Sequence, residues 1–408
     1  MSQSSAKKGL AARFIEYMLT QKPDLFFKIL RNTIPVFGNT KTGPVFITRF
    51  NDVQEALTRP EVFRVMYAPM MDPSVGPFML GRDGTTINQR DKGIMRSLIQ
   101  REDIPKIKAI SAKLADQAVS SQLDKKQIEV VNTVSRWVPV RLTCEYFGFT
   151  GPNDESMFRW SRATQYDMFH NQDNDPQVHQ ENIEAGAQMK DFLTELLPKR
   201  RQEIGDNPDL DDILSRLLKS RFDDSIKFDE SRIMTNIMGT LVGGIETTSQ
   251  AVVQILEQLF KRPEILEQAK KLAANDDDKQ LYQYCWEALR FNPINPFVMR
   301  QCAKDYKIAS GSWRSKTIKA GAVVLVSGRS AMRDGRQVPC ANDFCIDRPD
   351  YHYMHMGYGE HTCLGDMVGR IEITQMVKRL LLLPNVRPVS EIDFEGGPFP
   401  ERYVIAFD

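Results

Sequence analysis

The chain has 408 residues, 54 basic against 53 acidic, for a formal net charge of +1. So even a balance excludes a general pull toward nucleic acid or an anionic membrane and leaves any charged partner to a local patch. No apolar run reaches the roughly 18 residues that a membrane-spanning helix needs, and the six scattered cysteines read as reduced thiols of a cytoplasmic chain. The first residues carry two lysines, but Leu10 to Leu19 is interrupted by charge, so no signal peptide is expected.

In chain order, residues 1–40 read as a helical lead-in with Phe14, Met18, Phe26, Phe27 and Leu30 on its apolar side. Alternation from Pro44 to Phe50 predicts a short strand, with a helical piece over 52–57. The stretch 65–81 combines Met66, Met70, Met71 and Met79 with Pro69, Pro73 and Pro77, which predicts a loop with an adaptable apolar surface. A basic helix follows over 88–100. Residues 104–220 read as largely helical, broken at 148–153 and at the polar run 171–176. From about 229 to 261 the pattern is one proline-free helix, roughly 50 Å long at 1.5 Å per residue. In its middle stand Gly243, Gly244, Ile245, Glu246, Thr247 and Thr248, of which the two glycines and two threonines are poor helix formers that together cost about 2–3 kcal/mol. That run fits close packing of two helices as well as a space beside the helix, where a Thr hydroxyl bonds back to a carbonyl and a carboxylate relays protons.

Farther on, Glu287 and Arg290 lie three apart on one helix face, before Phe291-Asn292-Pro293. Arg300 follows the apolar segment 293–298, and such an arginine needs an anion if it is buried. Residues 308–326 read as paired strands and 366–383 as a helix. The stretch 396–407 reads as a terminal hairpin with Phe399 at its tip, either a substrate contact or an exposed aromatic. Between them lies Met356-Gly-Tyr-Gly-Glu-His-Thr-Cys-Leu-Gly365, a low-bulk loop that would let a large flat ligand approach the Cys363 sulfur. Taken alone, these residues equally fit a turn with a small buried cysteine. A zinc set of His352, His355, His361 and Cys363 lacks the usual paired half-sites.

With Gly359 four before the cysteine, His361 two before and Gly365 two after, the loop resembles the signature of the cytochrome P450 family; Met356 stands where that family normally has Phe. The run 243–248 matches the family's oxygen-activation motif, and Glu287, Arg290 and Arg348 its buried E-x-x-R set. The resemblance covers nearly the whole chain. It implies a mainly α fold with small β-sheets (α+β), one domain spanning 1–408 with a long central helix over the haem and a small β-rich lobe at about 35–65 and 295–330.

The resemblance also implies haem b, with Cys363 as the iron's thiolate ligand and Gly359 and Gly365 shaping the loop. Gly243 and Gly244 would leave room above the ring. Arg300, His361, Lys92 and Asn88 would contact the cofactor, and Glu246 and Thr247 would be the catalytic acid and alcohol. Glu287, Arg290 and Arg348 would keep the fold, while Met70, Met79, Val298 and Phe399 would meet substrate. The expected activity is that of a haem-thiolate monooxygenase inserting one oxygen of O2 into a C–H bond of a small, largely apolar organic molecule, by hydroxylation or oxidative O-demethylation. The chain has no flavin or iron–sulfur motif, so electrons are expected from ferredoxin and ferredoxin reductase, docking on the Lys92, Arg96 and Arg101 side. The alternatives are a peroxide-driven peroxygenase or hydroperoxide isomerase, whose relatives generally lose the acid and alcohol pair, and a haem-binding sensor or carrier with no use for it.

Overall fold

The computed structural model describes residues 10–408, and the chain folds into two compact units. Residues 1–9 of the helical lead-in expected over 1–40 therefore lie outside the described residues. The first unit comprises residues up to Arg64, Asn295–Phe344 and Pro349–Glu360. Its helix Pro23–Thr33 starts on proline, whose missing N–H is no loss at that position, and has Asp24 in its first turn. Phe26, Phe27 and Leu30 come round to one side and are buried against Met18, Phe46 and Leu325. Each such side chain contributes about 1.5–3 kcal/mol by leaving water.

Where the sequence pattern carries the lead-in helix to residue 40, the structure forms a strand at Val36–Gly38. The reason is tertiary: this strand is the edge of a five-stranded sheet in the order 36–38, 45–47, 323–326, 298–302, 63–64. Val45–Ile47 runs parallel to Val323–Val326, and the other neighbours are antiparallel, which sets Arg300 opposite Val324. Behind the sheet, helix Phe50–Leu57 buries Phe50, Val53, Ala56 and Leu57 at helical spacing.

The second unit, Val65–Ile294, Cys345–Arg348 and His361–Asp408, is mostly helical. Side-chain caps set several starts: Asn153 accepts from the Ser156 N–H, Asp175 from Gln177, and Asp229 from Arg232. The break expected at 171–176 is present, between helices Asp154–His170 and Pro176–Asp206. Within the span read as helical there is also a three-residue strand, Gln127–Glu129. It is too short to show period-two alternation, and it exists because Val404–Ala406, near the chain's end, pairs with it. Val404–Ala406 pairs on its other side with Arg387–Pro388, so the expected simple hairpin is the middle of a three-stranded sheet.

The expected continuous helix over 229–261 is instead Glu230–Gly244 followed by Glu246–Phe260, interrupted at Ile245. The second piece is buried almost all round, with Ser249 bonded to Ser135 at 2.8 Å and Gln250 donating to the Ile294 carbonyl at 3.2 Å. Helix Asp366–Leu381 begins just after Cys363. Among the described residues no helix is long and apolar enough to cross a membrane.

Candidate active site

The interruption at Ile245 has a local cause. The Thr247 hydroxyl donates to the Gly243 carbonyl at 2.7 Å, the i to i−4 bond that draws a helical carbonyl away from its backbone partner. Leu241, Val242, Ile245 and Glu246 are all buried, yet Gly243 between them is exposed and a Cβ built on it would meet nothing within 4 Å. An open notch in an otherwise buried helix explains glycine here: a side chain would fill it.

Glu246 is wholly buried next to that notch. Burial pushes its carboxyl up to about 7, against the pull of Arg136 and Arg162. The Arg136 guanidinium stands off at 3.4 Å from one oxygen and 3.5 Å from the other. Arg136 is held more closely by Glu401, at 3.0 Å, and by the Pro400 carbonyl, at 2.8 Å. No sequence signal pointed to Arg136 or Glu401, because they lie 110 and 155 positions from Glu246 and are joined to it only by the fold.

Cys363 lies deep among protein atoms, and that burial pushes its thiol up; the Gly365 N–H, Lys92 and Arg96 pull the other way. Its side chain is nonetheless open, not packed over. The sulfur is thus accessible to a ligand that approaches the loop. Lys92, buried, donates from Nζ to the Thr362 carbonyl at 2.8 Å and so braces the residue before the cysteine. This corrects its place on a docking surface; Arg96 and Arg101 stay exposed. His361 Nε2 faces Asp83 at 2.9 Å.

Asn88 uses its amide N–H groups on the Met79 and Arg82 carbonyls, both at 2.9 Å, which corrects the expectation that it meets the cofactor: it ties the loop 79–82 to the helix behind it. Phe399 is also corrected. It is 1% exposed and packs edge-on against His170 and Tyr166, so it backs this region and presents no surface to a substrate. Met79 is 4% exposed, whereas Met70 is half-buried.

Glu287 is the hub of a buried triad. Its Oε1 accepts from Arg290 at 2.7 Å, Arg348 at 3.1 Å and the Cys345 N–H at 2.9 Å. The pairing predicted from spacing is thus a core feature.

In the first unit, Gly359 has a φ of +68° and a Cβ there would sit 2.8 Å from the Leu57 carbonyl oxygen, so only glycine fits. Val298 is half-buried on its strand. Arg300 is 5% exposed, yet its guanidinium donates only to the Met299 carbonyl, and no carboxylate pairs with it among the described residues. A buried cation without an anion fits a ligand that brings one.

The family model described as Cytochrome P450 matches residues 152–394, more than half of the chain. The chain belongs to the cytochrome P450 family. It is 26% identical to the mycinamicin IV hydroxylase/epoxidase of Micromonospora griseorubida, over 86% of this chain and 85% of that one. It is 23% identical to a steroid C26-monooxygenase of Mycolicibacterium smegmatis, over 91% and 90%. A cytochrome P450 of Bacillus megaterium solved with testosterone shares the fold at a TM-score of 0.79, with 21% identity over 95% of this chain and 98% of that one. This cytochrome P450 is therefore an oxidoreductase of the monooxygenase class, whose family works with a haem iron, O2 and a small-molecule substrate. Its mainly α architecture with small sheets is the family's.

Proposed function

We propose that this P450 inserts one oxygen atom of O2 into a C–H bond of a small, largely apolar organic molecule, by hydroxylation or O-demethylation, using haem b ligated by Cys363. The observation that carries the reading is the open notch at Gly243 flanked by a buried carboxyl and a hydroxyl. A peroxide-driven enzyme or a haem carrier has no need of that pair. When bound, the haem supplies O2 binding and two-electron oxidation of the substrate, and a thiolate ligand favours O–O cleavage.

The chain's own residues do the rest. Cys363 presents its sulfur from the loop before helix Asp366–Leu381, where the Gly365 N–H and the positive helix end favour the thiolate. Thr247 gives its proton to the Gly243 carbonyl, so toward the notch it offers lone pairs and can hold an incoming O–H in place. Glu246, with its carboxyl near neutrality, can give and retake a proton there. Arg300, buried and without a carboxylate partner among the described residues, is suited to hold a carboxylate.

Electrons would come from a ferredoxin and its reductase, steered to exposed Arg96 and Arg101. All six cysteines are free, which supports a reducing compartment, the cytoplasm. The test pairs two measurements. The reduced carbon monoxide complex should show the red-shifted band of thiolate ligation and lose it in Cys363→Ser. Thr247→Ala should keep the band but divert consumed O2 to peroxide; unchanged coupling in that variant would sink the monooxygenase reading.

A further inference from the structure

Glu401 lies on the segment that leads into strand Val404–Ala406, and the pairing of that strand with Gln127–Glu129 brings it beside the turn carrying Asn132 and Arg136. Asn132 reaches the Glu401 carbonyl at 3.4 Å and Arg136 Nη1 at 2.9 Å, while the Arg136 guanidinium lies over the Phe158 ring at 4.5 Å. Arg136 is therefore fixed from several sides, and the cation is shared by two carboxylates. It bonds Glu401 at 3.0 Å and Glu246 only at 3.4–3.5 Å, so that Glu246 Oε1 has no hydrogen bond among the described residues. On its outer side Glu401 pairs with Arg162, whose side chain is 32% exposed. A charged row thus runs from solvent inward: Arg162, Glu401, Arg136, Glu246. These first three are the charged groups that face Glu246.

We propose that Glu401 is a positioning residue for proton delivery. By drawing Arg136 to itself it leaves the Glu246 carboxyl loosely held and able to take up and release a proton. The inference rests on the reading of Glu246 as the relay. An undivided Arg136 would pin Glu246 as a carboxylate, because an opposite charge at hydrogen-bond distance favours the ionised form by one to three pH units.

The experiment is an infrared pH titration of the haem-loaded enzyme, following the carboxyl C=O band that disappears in Glu246→Gln. Glu401→Gln should move the midpoint of that band down by about one unit or more. Arg162→Gln, a replacement at a partly exposed site that should fold, frees Glu401 to hold Arg136 harder and should move the midpoint up. The pH profile of turnover should follow both. Midpoints unmoved in both variants, with stability alone altered, would make the row structural and overturn the proposal. Should Glu246→Gln leave O2 coupling and the pH profile intact, the relay reading itself falls, which is a different result.

Discussion

Replacing Glu287 by Gln keeps the shape of the side chain and removes its charge, so what it measures is the worth of one carboxylate to two buried guanidiniums. Arg290 and Glu287 are wholly buried and the Arg348 side chain is 3% exposed, so water cannot substitute for the lost anion. Removing one partner of a buried pair costs about 3–5 kcal/mol. Here the same carboxylate also receives the Cys345 N–H, which ties the short segment 345–348 into the unit. The upper part of that range, about 4–5 kcal/mol, is the expected loss, against a total stability of about 5–15 kcal/mol for a folded chain. The assay is urea unfolding followed by far-ultraviolet circular dichroism, with the midpoint displaced and the slope retained. The control is Lys261→Gln, which breaks the exposed Lys261–Glu257 pair and should cost less than about 1 kcal/mol. A Glu287→Gln loss as small as that of the control would refute the argument that burial makes this pairing structural.

Gly243→Leu should leave stability within about 1 kcal/mol of the parent, since a Cβ there meets nothing within 4 Å and leucine is the better helix former, while turnover falls at least ~10-fold because the notch is filled; retained turnover would show that the notch is not where chemistry occurs. Glu246 has a folded value of about 7 against an ordinary 4.5, so the stability its protonated form contributes is complete below pH 4.5 and is lost as pH rises to about 7. That difference amounts to about 3 kcal/mol, so Glu246→Gln should gain on the parent across this window, and parallel stability curves would contradict it. Charge reversal of Arg96 and Arg101 should slow reduction by an acidic ferredoxin and flatten its salt dependence, measured by stopped flow.

Much of the site was legible because its residues sit close together in the chain. Gly243 to Thr248 and Gly359 to Gly365 each act through local backbone, so spacing carries the geometry: a hydroxyl four residues after a carbonyl reaches it, as Thr247 does. The helical segments were legible for the same reason, through caps and 3.6-residue spacing. What sequence periodicity missed depends on partners far away. Strand Gln127–Glu129 exists only against Val404–Ala406, and Val36–Gly38 only against Val45–Ile47. Asn88 was misread from its position in the resembled family and Phe399 from its place at a turn tip, whereas hydrogen bonds to Met79 and Arg82, and rings from His170 and Tyr166, claim them.

The behaviour of Glu246 is the part that no motif could contain. A Glu before a Thr in a helix says that an acid and an alcohol are adjacent; whether that acid is a fixed counter-ion or a proton carrier depends on how far a cation stands from it. With Arg136 undivided it would be held as a carboxylate, whereas with the cation shared and standing at 3.4–3.5 Å from a buried carboxyl, ionised and neutral forms are close in energy near neutral pH. That separation is set by Glu401, Pro400 and Asn132 holding the guanidinium, and hence by the pairing of strands that meet only in the folded chain.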